Sequence, residues 1–184
     1  AGAVAGAHTI TVDSVARAQT TNLTQTGSSV FTNQHQTLNG GAPFDLNIQV
    51  GGNSGITHAI SVTVATPSGI VDAINNSASG VSATLRDTGT AGSSYVIQLT
   101  GSSGASNSFT VTEPSTSLFA TDTPNGFSAA DASLTVNGLA FTRASNDIDD
   151  IITGVTLNLN SATTGASNVS VQSDTSVVEK NIRG

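Results

Sequence analysis

The sequence predicts a mainly β fold of the α+β class, built from antiparallel strands with a few short helices. Polar and apolar residues alternate along several segments, as they do in strands with one buried face. Charged residues make up only 9% of the 184 residues and hydrophobic residues 36%. Gly, Ser, Thr and Asn recur between the alternating segments. This combination is typical of exposed antiparallel β-structure with many turns.

Clear alternation occurs twice in the first third of the chain. In "HTITVD", His8, Ile10 and Val12 face one side of a predicted strand. A second apolar stripe consists of Phe44, Leu46, Ile48 and Val50. Gly51-Gly52 then predicts a hairpin turn. The strand after this turn is expected to place on its apolar face Ile60, Val62 and Val64.

Two irregular regions separate the patterned segments. Residues 19–39 are polar, with Val30 and Phe31 as the expected hydrophobic anchors. The "LNGGAP" stretch at residues 38–43 is a strong breaker of secondary structure, so we predict a domain boundary there. Residues 114–128 are predicted to form a loop.

One short helix is predicted within "TPSGIVDAINNSASG". Its apolar face would consist of Ile70, Val71 and Ile74. Ser68 is the expected N-cap, and Gly80 suits the exit from the helix.

Strands dominate the rest of the chain. Residues 81–101 read as strand, turn and strand, and "NSFTVTEP" adds a strand that Pro114 ends. "ASLTVNGLAFTR" predicts a hairpin, because Asn137-Gly138 is the preferred pair for a type I′ turn. "VTLNLN" and "SNVSVQSD" are predicted strands, and the tail "TSVVEKNIRG" is expected to begin a helix.

An acidic stretch within "SNDIDDIITGV" predicts a second helix. Its three aspartates are Asp147, Asp149 and Asp150. The apolar face would consist of Ile148, Ile151, Ile152 and Val155. Ser145 or Asn146 would cap the helix, Gly154 would end it, and the aspartates would stabilise its first turn. A calcium loop fits less well, because Ile148 separates the acids and no Glu follows.

Charge and composition exclude several classes of protein. The net charge is −7, from 12 Asp and Glu against 5 Lys and Arg. The basic residues are scattered rather than grouped in a stripe, so we predict no nucleic-acid partner. No segment is long and apolar enough for membrane insertion. "AGAVAGA" lacks the features of a signal peptide, and we interpret the chain as a fragment of a longer protein.

No residue is predicted to be catalytic, cofactor-binding or metal-binding. The absence of Cys excludes thiolate metal sites and cysteine nucleophiles. His8, His35 and His58 share no metal-ligand spacing. Tyr95 and Phe127 are isolated aromatics, expected at core or edge positions rather than in a sugar-stacking site. We therefore predict no enzymatic activity and no cofactor.

A short internal similarity predicts two related units. "GASN" occurs at residues 104–107 and 165–168, each time before a predicted strand. A predicted helix with Asp-x-Ile precedes each copy, at residues 72–74 and 149–151. The pattern predicts two β-hairpin–helix–β-hairpin units, with chance similarity in a Ser- and Gly-rich chain as the alternative.

Two longer patterns resemble known flagellar proteins. "HTITVDSVARAQT", followed later by "PSGIVDAINNSASGVSATLRDTGTAGSSYVIQLTGSSGASNSFTV", resembles a repeat of flagellar hook and flagellin-related proteins. "ADASLTVNGLAFTRASNDIDDIITGVTLNL" is more specific and resembles the flagellar filament cap family, known as hook-associated protein two or FliD. Together the patterns cover most of residues 7–175. The family's terminal coiled-coil and leg segments are missing from this chain.

The resemblance implies a domain organisation. Residues 1–40 plus 128–184 would form a split β-rich domain, and residues 41–127 would form an outer head domain inserted into it. The expected fold is thus two small antiparallel β-rich domains, one inserted into the other.

The resemblance also implies a structural function outside the cell, at the tip of the bacterial flagellum. There the full-length protein would self-associate into a ring and promote polymerisation of flagellin without a cofactor. The alternative is a surface adhesin module that binds host mucin or glycan, and an enzyme comes third. The exposed loops at residues 51–55 and 89–94 are candidate contact sites by position.

Overall fold

A computed structural model describes residues 6–27, 31–89, 94–162 and 167–171. Its strands and helix are, in chain order, β1 (Gly6–Ser14), β2 (Ala18–Gln25), β3 (Phe44–Val50), β4 (Ile56–Val62), α1 (Pro67–Asn75), β5 (Ser82–Asp87), β6 (Tyr95–Ser103), β7 (Phe109–Thr112), β8 (Phe119–Phe127), β9 (Ala132–Val136), β10 (Leu139–Arg143), β11 (Asp147–Ile152), β12 (Val155–Asn158) and β13 (Ser167–Val171). The predicted mainly antiparallel β fold is confirmed, with a single α-helix in the described part of the chain. That helix is too short to cross a membrane.

The chain divides into two compact units. Unit 1 takes its residues from 1–16 and 131–184, and unit 2 from 17–130. The sequence predicts that the chain passes from the split domain into the inserted domain near residue 40. In the structure the first boundary between the two units lies after residue 16. The difference arises from β2, which pairs with β6 on one side and with β8 on the other. Strands β6 and β8 are distant from β2 in sequence, so this pairing cannot be predicted from the composition around residue 40.

Unit 1 contains a four-stranded antiparallel sheet in the order β10-β9-β1-β13 and the separate hairpin β11-β12. The predicted face of β1 is confirmed, because Ile10 and Val12 are buried. The predicted turn is confirmed as well, because Asn137 and Gly138 both have positive φ, at 51° and 83°. The core of unit 1 consists of Ile10, Val12, Ala16, Ala132, Leu134, Val136, Ile148, Ile152, Leu157 and Leu159.

Unit 2 contains two antiparallel sheets, in the orders β5-β6-β2-β8 and β4-β3-β7. Its core includes Leu23, Phe31, Leu38, Phe44, Leu46, Ile48, Ile60, Val62, Ile70, Ile74, Ile97, Leu99 and Phe109. Phe31 is fully buried and is confirmed as an anchor, whereas Val30 lies outside the described residues. The ring of Phe119 packs against Phe31 and Phe44, with centroids 6.2 and 5.5 Å away.

Helix α1 is confirmed, but its predicted cap is wrong. Thr66 is the N-cap, and its side chain accepts a hydrogen bond from the Gly69 backbone N–H at 3.1 Å. Ser68 instead donates its hydroxyl to the Gln34 carbonyl at 3.0 Å. Proline at the first helical position, Pro67, explains the shift, because its fixed φ starts the helix directly after Thr66.

The helix predicted over residues 145–155 is wrong, because the segment forms strands β11 and β12. Ile148 and Ile152 are buried, and residues four apart share one face in a strand as well as in a helix. Gly154 has a φ of 75°, a left-handed conformation that closes hairpins and ends helices alike. The β-branched isoleucines and the pairing with β12 favour the strand. The aspartates therefore have no helix N-terminus to stabilise.

The loop predicted at residues 114–128 is wrong for Phe119–Phe127, which forms β8. This strand contains Pro124 and lies at the edge of its sheet. An edge strand tolerates proline because one of its sides makes no ladder hydrogen bonds. Its register against β2 shifts between Thr20 and Asn22.

The structure corrects two further predictions. The apolar face of β4 holds for Ile60 and Val62 but not for Val64, which is 60% exposed beyond the end of the strand. The predicted pair of similar units is also wrong, because residues 72–74 lie in α1 and residues 149–151 lie in β11. The helix expected in the tail from residue 175 lies outside the described residues.

Candidate functional site

Exposed apolar side chains mark the candidate contact surfaces. In the described part of the chain, the large hydrophobic residues that are mostly exposed are Ile56, Val64, Phe127 and Leu139. Leu139 begins the edge strand β10 of unit 1, and Phe127 ends the edge strand β8 of unit 2. Ile56 begins β4, and Val64 follows that strand by two residues. Each of the four thus lies on or beside an edge strand, where it can contact another chain.

Phe127 lies on the edge strand β8, and an edge is one of the two positions, core or edge, that the sequence predicts for it. The Arg17 guanidinium carbon is 5.9 Å from its ring centroid, a cation–π distance. Its backbone N–H donates to the Thr20 hydroxyl at 3.0 Å. A cavity of about 120 Å³ beside it is too small for a sugar ring and its substituents. The cation–π contact and the backbone hydrogen bond therefore hold Phe127 at the surface of unit 2.

A larger cavity of about 350 Å³ in unit 2 is lined by Leu23, Val111, Thr112, Glu113, Thr116, Ser117 and Phe119. The Glu113 carboxylate accepts hydrogen bonds from the backbone N–H groups of Leu118 and Phe119, at 2.8 and 2.6 Å. It also accepts the hydroxyl of Thr116. This carboxylate therefore organises the connection that leads into β8, which explains its place without a catalytic role.

The predicted contact loop at residues 51–55 connects β3 to β4. Gly51 has a φ of 99°, and its N–H donates to the Ser108 carbonyl at 2.8 Å. The Gly55 N–H donates to the Gly52 carbonyl at 3.0 Å. These bonds hold an exposed turn directly before Ile56, so the loop and this apolar side chain form one continuous surface.

The second predicted contact loop lies only partly within the structure, because residues 90–93 are outside the described residues. At its base the Thr88 N–H donates to the Ser94 carbonyl at 2.6 Å. The Gly89 N–H donates to the Asp87 carboxylate at 2.8 Å. This backbone hydrogen bond, followed by bonds from Ser94 and Tyr95, lowers the pKa of Asp87.

His8 and His35 occupy separate local environments. The His8 Nδ1 atom lies 3.1 Å from the Asn137 side-chain nitrogen in unit 1, and the His35 Nδ1 atom lies 3.4 Å from the Ser68 hydroxyl in unit 2. Within the described ranges, no three His, Asp or Glu side chains are grouped closely enough to hold a metal ion.

The acidic stretch on β11 is engaged in local pairing. Asp150 forms an ion pair with Arg143 at 2.9 Å, and this hydrogen-bonded guanidinium lowers the pKa of the carboxyl group. Asp147 accepts a hydrogen bond from the Asn158 side chain across the hairpin. The described surface thus offers exposed apolar residues at strand edges, and two of the three aspartates of β11 are engaged in local pairing. This surface suits weak protein–protein contact.

Comparison with known proteins supports this interpretation. The family model described as flagellar hook-associated protein 2 C-terminus matches residues 129–184. No curated protein sequence matches the chain significantly.

Solved structures extend the similarity to nearly the whole chain. The D1-D2-D3 domains of the Escherichia coli flagellar cap protein FliD are 32% identical with a TM-score of 0.76, covering 98% of this chain and 54% of that chain. The D2-D3 domains of the same protein are 29% identical with a TM-score of 0.73, covering 94% and 91%. FliD (HAP2) from Pseudomonas aeruginosa is 25% identical with a TM-score of 0.71, covering 100% and 86%. The chain thus spans about half the length of the first relative, and the resemblance predicted from the sequence is confirmed.

Proposed function

We propose that the chain is the head region of a bacterial flagellar filament cap protein, with unit 1 as its split domain and unit 2 as the inserted outer domain. The observation that carries the proposal is the 32% identity with the Escherichia coli flagellar cap protein over 98% of the chain. The order of the units along the chain supports it, because unit 2 interrupts unit 1.

In this role the full-length protein works outside the cell, at the tip of the flagellum. It self-associates into a ring and promotes the addition of flagellin to the filament. The surface suits such work, because a cap must make contacts that are replaced as subunits are added. Uncharged polar side chains and isolated apolar residues give weak contacts, whereas a large apolar patch would bind permanently. We propose no catalytic activity and no cofactor.

Deletion of the parent gene tests the proposal. Cells without it should release unpolymerised flagellin into the medium and carry no filaments, and the full-length gene should restore the filaments. A gene that lacks the codons for residues 17–130 provides the matched variant, because it removes all of unit 2 and leaves both chain segments of unit 1. Reduced filament growth in this variant, with flagellin still exported, would assign part of the work to unit 2.

The same experiment separates the cap from the adhesin. Normal filaments combined with poor attachment to host surfaces would contradict the cap function and favour a module that binds mucin or glycan. The cavity of about 350 Å³ does not favour that alternative, because its carboxylate, Glu113, is occupied by its own loop.

A further inference from the structure

Strand β4 forms an open edge of unit 2. It spans Ile56–Val62, lies at one end of the order β4-β3-β7, and pairs in the described structure with β3 alone. Its seven residues pair with β3 in continuous register, without a bulge. The far side of this strand therefore presents backbone groups that can pair with another strand.

Most edge strands carry features that prevent such pairing, and β4 carries none of them. Proteins protect edges with charged side chains, proline and bulges. Strand β8 contains Pro124 and a register shift, and β5 ends in Arg86 and Asp87. By contrast, residues 46–71 contain no Asp, Glu, Lys or Arg. The β4 edge is thus long, regular and uncharged.

Two exposed apolar residues flank this edge: Ile56 is the first residue of β4, and Val64 follows its last residue, Val62, by two positions. Ile56 is 71% exposed and Val64 is 60% exposed. Between them the side chains on the other face are exposed as well, namely Thr57, Ala59, Ser61 and Thr63. Exposed apolar residues that flank an unprotected edge indicate a surface that another strand covers.

We propose that β4 pairs antiparallel with β4 of a second copy of this chain, about a two-fold axis at Ile60. In this register residue 56 of one copy lies opposite residue 64 of the other. Both exposed apolar residues of each copy therefore find an apolar partner, which stabilises a cross-strand pair. The same register places Ala59 opposite Ser61, two small residues that allow close approach.

Charge favours a second copy at this edge over other parts of the surface. Each copy carries a net charge of −7, so two copies repel each other over most of their surfaces. The uncharged β4 edge is where they approach at the least electrostatic cost. A two-fold contact uses the same patch on both copies, and one self-complementary strand supplies it. The pairing does not rest on the proposed cap function.

The test is the association state of the 184-residue chain, measured by sedimentation velocity. A contact through one strand is smaller than a standard interface of about 1,600 Å², so concentrations from about 5 to about 500 µM are needed. A concentration-dependent dimer is expected. A chain that stays monomeric throughout this range would overturn the pairing and leave the edge to a strand of another protein.

A pair of double variants tests the surface and the register together. Ala59→Lys with Ser61→Lys places like charges opposite each other across the two-fold axis and should raise the dissociation constant at least ten-fold. Ala59→Glu with Ser61→Lys places opposite charges there and should retain the dimer. Lysine at position 61 suits both variants, because Asp45 lies opposite it within the same chain. Circular dichroism and thermal unfolding should show that both variants fold.

Two results with these double variants would contradict the proposed pairing. A dimer that survives the double-lysine change forms through another surface, and loss of the dimer in both variants excludes the register at Ile60. Introduced cysteines give a second readout, because the chain has no Cys of its own. A mixture of Ala59→Cys and Ser61→Cys chains should form a disulfide-linked dimer faster than either variant alone. Rings of the full-length protein that form with every β4 variant would leave the cap function intact, and only the association of the 184-residue chain decides whether β4 pairs.

Discussion

The side chain of Asn146 pairs with the backbone of Ala16, 130 residues away in sequence. The Ala16 N–H donates to the Asn146 Oδ1 at 2.7 Å, and the Asn146 Nδ2 donates to the Ala16 carbonyl at 3.0 Å. The carboxamide thus makes the two hydrogen bonds that a neighbouring strand would make, and it satisfies both backbone groups of Ala16, a residue in the core of unit 1. It joins the end of the first chain segment of unit 1 to the start of the β11-β12 hairpin.

Asn146→Ala should lower the free energy of unfolding of unit 1 by about 1–3 kcal/mol, because it leaves two partly buried backbone groups without partners. Amide hydrogen exchange should accelerate in β1 and β9, while β3 and β6 of unit 2 keep their protection. Asn158→Ala is the matched control, because Asn158 is exposed and bonds only across the hairpin surface in the described structure. A similar loss of stability in both variants would contradict the special role of Asn146.

Residues 17–130 should fold without the rest of the chain. Arg17 and Ala130 pair at the base of unit 2, since the Arg17 N–H donates at 2.8 Å and the Ala130 N–H returns a bond at 3.1 Å. A fragment of residues 41–127 should fail to fold, because it lacks β2 and the buried Phe31 and Leu38. Cooperative thermal unfolding of both fragments would show that the boundary lies near residue 40 after all.

Glu113→Gln should loosen the connection between β7 and β8. A carboxylate has two acceptor oxygens, and an amide has one, so at least one of the bonds from Leu118 and Phe119 is lost. We expect faster hydrogen exchange at these two amides and a loss of about 1–3 kcal/mol in stability. Thr116→Ala is the milder control, because it removes one hydroxyl donor and keeps the carboxylate. Unchanged exchange in Glu113→Gln would show that the loop is held by packing alone.

The Arg143–Asp150 ion pair should make stability depend on pH in acid. The hydrogen bond from Arg143 lowers the folded-state pKa of Asp150 below its ordinary value of 3.8. The stabilisation is therefore fully present above pH 3.8 and is lost as the pH falls through the folded-state value. The difference in unfolding free energy between the unmodified chain and Asp150→Asn should be constant near neutrality and should shrink at lower pH.

Arg143→Gln is the control for this pH dependence, because it removes the same interaction from the other side. The double variant should behave like either single variant. A pH-independent difference between the unmodified chain and Asp150→Asn would contradict the ion-pair account. The effect is expected to be small, since both side chains are exposed to solvent.

The sequence by itself predicted the elements whose signals are local. The alternation in β1 and β3, the Asn137-Gly138 turn and the apolar spacing of α1 depend on neighbours a few residues apart, and the structure confirms each. The motif that spans β9 to β12 also identified the family resemblance. A motif depends only on the order and spacing of its residues, so it holds although the helix predicted for β11 was wrong. The contact loops at residues 51–55 and 89–94 remain predictions, because their exposed position does not identify a partner.

Only the tertiary structure decided the features that depend on distant partners. Ile148 and Ile152 suit one face of a helix or of a strand, and the pairing with β12 chose the strand. Residues 114–128 are predicted to form a loop, and the pairing with β2 makes residues 119–127 the edge strand β8. The domain boundary likewise lies at residue 16 rather than near residue 40. Strand β2 is polar in sequence, and only its pairing with the distant strands β6 and β8 assigns it to unit 2. Local pattern determines which elements can form, whereas long-range pairing determines which of them do.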